Sequence, residues 1–225
     1  MQDLGSLGGG MSNAAAINNS GQIVGGSQLQ DGSQHAFLWT AAGGMQDLGS
    51  LGGDSFANAI NDAGEVVGFS FLSDNVTYHA FLWSFSGGMQ DLGTLDGGPA
   101  SAAMSVNAAG QIVGWSLTSV NGEVPFVWDP VHGMRVIGTG VQGHGGYATG
   151  INQFGEVVGN LLKGNVARFV WSKGNGLQNL NNLIPHQIGY FVQATAINRF
   201  GQIVGRGGFI TTHAWLLTPS QTLAR

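Results

Sequence analysis

Apolar residues in this chain come in short β-branched and aromatic runs bounded by Asn and Gly, not at helical spacing. One such run, Gln22-Ile23-Val24-Gly25, returns as Glu65-Val66-Val67-Gly68, Gln111-Ile112-Val113-Gly114, Glu156-Val157-Val158-Gly159 and Gln202-Ile203-Val204-Gly205. Another, His35-Ala36-Phe37-Leu38-Trp39, returns as His79–Trp83, Val124–Trp128, Ala167–Trp171 and His213–Leu217. With side chains alternating at period two, the first, third and fifth residues of that segment share one face and the second and fourth share the other. Both faces are apolar, so each strand needs cover on both sides.

The runs belong to a repeat. Asn18, Asn61, Asn107, Asn152 and Asn198 stand 43, 46, 45 and 46 residues apart, a period typical of propellers, solenoids and arrays. A glycine follows each Asn by three residues and a second glycine by seven, as in Gly64 and Gly68. Asn first and Gly fourth suit a type I turn closing a hairpin, and the second glycine allows close backbone approach. A small-residue segment such as Ala14–Asn18 precedes each turn. A fourth segment begins six residues after each Trp, at Met45, Met89, Met134 and Leu177.

Five four-stranded units, apolar on both faces, are satisfied if each sheet packs on two neighbours in a ring. The predicted fold is therefore an all-β, five-bladed β-propeller of antiparallel blades, formed as a single domain over residues 1–225. The copies run over about 8–51, 52–95, 96–140, 141–183 and 184–219. The last copy lacks a fourth strand and the chain opens with a spare one, so Met1–Leu7 is expected to complete the last blade and close the ring. An open solenoid is the alternative; it would leave apolar end faces.

The Ala-x-Ala-Ile-Asn-x-x-Gly-Gln-Ile-Val-Gly pattern, the His-Ala-Phe triplet and the Met-Gln-Asp-Leu-Gly-x-Leu-Gly-Gly segment resemble the bacterial HAF-repeat family of probable extracellular proteins. The resemblance covers essentially the whole chain, although Val124 and Ala167 replace His in the third and fourth copies. It implies a secreted or surface-exposed location and carries no activity or binding residues with it. The chain itself opens directly on a repeat segment, not on a signal peptide.

Composition narrows the partners. Charged residues make up 8% of the chain and the net charge is -5, which supplies no basic patch for nucleic acid. No apolar run reaches the length of a membrane-spanning helix, so no membrane insertion is expected. The absence of cysteine excludes disulfides and thiolate metal sites. A monomer binding a small molecule or glycan is the expectation.

Loop lengths place the function. The turns joining strands one to two and three to four hardly vary, whereas the connections from strand two to three and from unit to unit do, and variable loops on a rigid scaffold are where sites form. The unit linkers hold Asp54, Asp96, His144 and His186, residues outside the repeat pattern, with Met11 and Asn13 in the first copy and Tyr147 and Tyr190 in or near the same loops. Two carboxylates and two imidazoles converging on a channel could hold one divalent metal and activate water against a phosphoester, ester or lactone. Asp54 and Asp96 equally fit as turn formers. His35, His79 and His213 recur at one position, as do Asp3, Asp47 and Asp91, and such repetition fits structural hydrogen bonds rather than catalysis. The tryptophans Trp39, Trp83, Trp128 and Trp171 are read as buried between blades, with sugar stacking as the alternative. Two functional readings follow: a non-catalytic, exported ligand-binding propeller with a glycan-like ligand, or a metal-assisted hydrolase with a single site at the channel mouth.

Overall fold

A computed structural model describes residues 1–119, 122–138, 145–162, 168–184, 190–208 and 211–219, with the side chains of Tyr190 and Phe191 left outside. The strands follow the repeat. The first unit holds β1 (Gly8–Ile17), β2 (Ile23–Leu29), β3 (Gln34–Thr40) and β4 (Gly44–Asp47), and the second holds β5 (Gly52–Ile60), β6 (Val66–Leu72), β7 (Tyr78–Ser84) and β8 (Gly88–Asp91). The third holds β9 (Ala100–Val106), β10 (Ile112–Thr118), β11 (Gly122–Asp129) and β12 (Gly133–Val136). The fourth holds β13 (Gly146–Ile151), β14 (Val157–Leu161), β15 (Arg168–Ser172) and β16 (Gly176–Asn179). The fifth has β17 (Tyr190–Ile197), β18 (Ile203–Gly208) and β19 (His213–Leu217). Within every unit the strands pair antiparallel in chain order. A single parallel pairing, Tyr78 with Ala100, joins units two and three into one mixed sheet.

The Asn residues organise each unit twice over. Asn61 Oδ1 accepts from Ala63 and Glu65 N–H at 3.1 and 3.0 Å, while Gly64, at φ +81°, donates its N–H to the Asn61 carbonyl. That closes the hairpin. The same side chain then reaches the next unit: Asn18, Asn61, Asn107 and Asn152 donate Nδ2 to the carbonyls of Asn61, Asn107, Asn152 and Asn198 at 3.0, 3.0, 3.0 and 3.2 Å. A four-step ladder thus ties unit to unit at one end of the strands.

Apolar packing runs along the same direction. Val24, Ala36 and Leu38 of the first unit join Ala57, Val66, Phe81 and Trp83 of the second in one buried cluster. Val67 and Ala80 of the second unit, both faces of the third (Ile112 and Phe126 on one, Val113 and Val127 on the other) and Ala148, Val157 and Phe169 of the fourth form another. Val158 joins Ala194 and Ile203, against which Trp215 and Leu217 pack. Each fully buried Val or Leu contributes about 1.5–3 kcal/mol.

The structure supports the all-β, antiparallel four-strand expectation but shows no closed ring. Met1–Ser6 forms no strand, and Leu7 donates its N–H to Ser27 Oγ of the first unit. Among the described residues no strand of the fifth unit pairs with the first. The physical reason is that the packing clusters and the Asn ladder among the described residues join immediate neighbours, so none of them requires the two ends to meet. No helix among the described residues is long and apolar enough to cross a membrane.

Candidate binding face

In each antiparallel unit the Asn turns lie at one end, and the strand two to three loops and the unit linkers at the other. At the linker end, serines set the backbone, buried in each case except the exposed Ser12. Leu7, Leu51 and Leu95 donate N–H to Ser27, Ser70 and Ser116 Oγ, each at 2.9 Å. Ser12, Ser55 and Ser101 Oγ donate to the carbonyls of Gly5, Gly49 and Gly93 at 2.7, 2.6 and 2.6 Å. Ser55 and Ser101 also accept from Ala36 and Ala80 N–H of the preceding unit, at 2.9 and 2.8 Å. These repeated bonds hold a rigid frame under residues that differ from copy to copy.

The differing residues occupy matching rungs. The residue after the second glycine is Gly26, Phe69, Trp115, Asn160 or Arg206, and its first-strand partner is Asn13, Phe56, Ala102, Tyr147 or Gln193. In units two and three these rungs carry an aromatic row. Phe56 and Phe69 stack with centroids 5.1 Å apart, Phe69 lies 6.2 Å from Phe71 and 5.5 Å from Tyr78, Phe71 lies 5.1 Å from Tyr78, and Tyr78 meets Trp115 edge-on at 6.0 Å. All five rings are half-buried, each with part of its surface in solvent. Burial, and then the nearby Glu123 carboxylate, raise the Tyr78 phenol above its usual range.

The row continues toward the first unit. A Cβ at Gly26 would stand 3.2 Å from the Phe56 ring, so the absence of a side chain lets that ring lie across the sheet. Beside it opens a cleft of about 670 Å³ lined by Asp3, Ser6, Met11, Ser12, Asn13 and Gln34 among others. Asn13 and Met11 come from the first copy of the variable connection, where the sequence placed the function.

Of the predicted site residues, Asp54 lies in β5 and accepts the Gln34 N–H of the preceding unit through Oδ1 at 2.9 Å, a staple between units. Asp96 is exposed at φ +53° in a 3-10 turn, Leu95–Gly97. Tyr147 is half-buried in β13 and its hydroxyl accepts from Gln193 Nε2 at 3.4 Å; it occupies the Phe56 rung. His144 and His186 lie outside the described residues, as does the Tyr190 side chain, whose backbone opens β17. Among the described residues no three His, Asp, Glu or Cys side chains group as a metal site.

Two of the repeated histidines bind the recurring aspartates across the third and fourth strands. Nδ1 of His35 donates to the Asp47 carboxylate at 2.8 and 2.9 Å, and His79 does the same with Asp91 at 2.9 Å. Trp83 and Trp128 are buried and Trp171 half-buried in the clusters between units, whereas the half-buried Trp39 lies on the face of the first unit opposite Val24 and Leu38. Reading the repeats for identity missed the aromatic row; reading the same alignment for variation, at the residue after each second glycine, would have found it.

No family model matches the chain, and a search of curated proteins found no significant match.

Proposed function

We propose that the protein is a non-catalytic binding module that presents the Phe56–Phe69–Tyr78–Trp115 row to a glycan. The observation that carries this reading is the clustering of five half-exposed rings at rungs where the repeats diverge, on a frame that the repeats conserve. Aromatic faces suit the C–H faces of sugar rings, and the amides and hydroxyls of Asn13, Gln34 and Ser12 in the adjoining cleft suit sugar hydroxyls. Extracellular or surface placement, as the HAF-repeat resemblance implies, would bring such a face to polysaccharide. Ring closure, as in a five-bladed propeller, would curve the row around a channel mouth; the binding role does not depend on it. The metal-assisted hydrolase does, because Asp54 and Asp96 would have to meet His144 and His186 there, and no observation among the described residues favours it.

The test is titration calorimetry against a panel of oligosaccharides, with Phe69→Leu and Trp115→Leu, changes that keep apolar bulk and remove the ring. We expect a saturable ligand whose affinity falls about fivefold in each variant, in line with roughly 1 kcal/mol per aromatic contact. Circular dichroism checks that both variants fold. Unchanged affinity in both folded variants would place the ligand elsewhere, and a panel with no saturable member would end the glycan reading.

A further inference from the structure

The two ends of the stack present the unpaired halves of contacts that the chain makes repeatedly inside itself. Between third and fourth strands, His35 pairs with Asp47 and His79 with Asp91 through Nδ1. In the fifth unit His213 has a described partner only on Nε2, Thr211 Oγ1 at 2.8 Å, and β19 has no fourth strand among the described residues. At the other end Asp3 accepts, among the described residues, only the Gly5 N–H. The segment that carries it, Met1–Gly9, is identical to Met45–Gly53, which supplies β4 and the link into the second unit.

Two further bonds are split in the same way. Ser55 and Ser101 accept an N–H from the third strand of the preceding unit, whereas Ser12 has no such donor described and Ala214, the matching donor, lies on the open edge. Among the described residues Asn198 Nδ2 donates only within its own turn, to Gln202, and the Asn18 carbonyl accepts no side-chain amide.

The apolar faces tell the same story. Val24, Val67, Val113 and Val158 are each 0% exposed because the following unit covers them, but Val204 at the same position is 43% exposed and Leu216, its register partner, 57%. On the first unit Ile17 is 65% exposed, against 9% for Val106 and 7% for Ile151 at the same position. The face ending the stack is thus the one that unit one presents to unit two, and the face beginning it is the one that unit two presents in return.

We propose that copies of this chain associate head to tail, with the first unit of one copy docking on the fifth unit of another. Met1-Gln2-Asp3 of the incoming copy becomes the missing fourth strand beside β19, Asp3 pairs with His213 Nδ1, Ala214 N–H donates to Ser12 Oγ, and Asn198 Nδ2 donates to the Asn18 carbonyl. The contact is heterologous: each copy keeps one free face of each kind, so assembly proceeds past a dimer into a filament or a closed ring of copies. Phe69 and Trp115 belong to internal units, so the aromatic row lies outside this contact, whereas Asp3 and Ser12 of the adjoining cleft are taken up by it; the test below reads mass and needs no glycan.

Light scattering and sedimentation velocity across a wide concentration range test it, with Ile17→Glu and Val204→Glu as variants at exposed positions. The wild type should gain mass past the dimer as concentration rises, and each variant alone should stay at the mass of one copy. An equimolar mixture of the two should stop at a dimer, because it holds one intact face of each kind. Wild type that remains a single copy at every concentration, or variants that still assemble, overturns the proposal. A second reading uses Gln2→Cys with Leu216→Cys, matched to the register partners Gln46 and Leu38, in a chain that has no other cysteine. Oxidation should give a ladder of linked chains; a link confined within one chain would mean that the chain closes on itself, and would equally overturn it.

Discussion

At the scale of single residues, the contacts that join units are short polar bonds, and one of them titrates. The Asn19 main-chain N–H, at 3.0 Å, and then its side-chain amide, at 2.7 Å, donate to the Asp62 carboxylate and hold its pKa below the usual Asp value. A carboxyl depressed in the fold contributes stability that is present above its unfolded pKa of about 3.9 and is lost as pH falls through the lower folded value. A carbon-detected NMR titration should therefore find Asp62 below about 3.9 in the wild type. In Asn19→Ala, which keeps the main-chain donor, it should move partway back. An Asp62 that titrates at the usual value in both would mean that units one and two do not hold this contact in solution. Much at this scale was legible beforehand. The recurrence of His35 and His79 with Asp47 and Asp91 signalled structure, and where Val124 replaces the histidine, Val136 replaces the aspartate on the facing strand. What could not be read was that these two recurring positions bond to each other, because that depends on the register of β3 against β4.

At the scale of the strand, the second glycine of each repeat does what its spacing implied. The first strand of each unit bulges where it crosses this glycine, between Ala57 and Ala59 in β5 and opposite Gly114 in β9. A Cβ at Gly114 would overlap the Ala102 carbonyl oxygen. Gly114→Ala should cost about 1–3 kcal/mol, since the bulge or β10 must shift within a packed interface. Gly10→Ala is the control, because the nearest atom to its Cβ is the end of the Gln28 side chain, 3.9 Å away, and it should stay within about 0.5 kcal/mol of wild type. Urea unfolding of both compares them; equal midpoints would show that the close approach is not maintained. The aromatic row escaped notice for the opposite reason. Fixed spacing exposes what every repeat needs, whereas Phe69, Trp115 and Tyr78 stand where the frame leaves the choice open, and only strand pairing shows that they meet.

At the scale of the molecule, the repeat dictates how a unit meets its neighbours and is silent on whether the last meets the first. A ring and an open stack use the same Val24-to-Phe81 packing and the same Asn ladder, so closure was not legible in the pattern. The ladder itself provides a way to measure it. Asn107 is buried and does two things: its Oδ1 accepts two turn N–H groups at 3.0 Å, and its Nδ2 donates to the Asn152 carbonyl at 3.0 Å. Asn198 makes the same turn bonds, at 2.9 and 3.0 Å, but is exposed and, among the described residues, donates to no further unit. Asn107→Ala and Asn198→Ala therefore lose the same turn, and only the first also removes the inter-unit donor from the Asn152 carbonyl, which keeps the Gly155 N–H at 3.1 Å. In a stack whose stability sums neighbour by neighbour, Asn107→Ala should be the more costly by about 1 kcal/mol or more. Chemical denaturation at dilution, below the concentration at which copies associate, gives the difference directly. If the two variants lose the same amount there, Asn198 must be donating to Asn18 within one chain, and the five units form a ring. A persistent gap that narrows as concentration rises is the signature of an open stack whose last rung is supplied by the next copy.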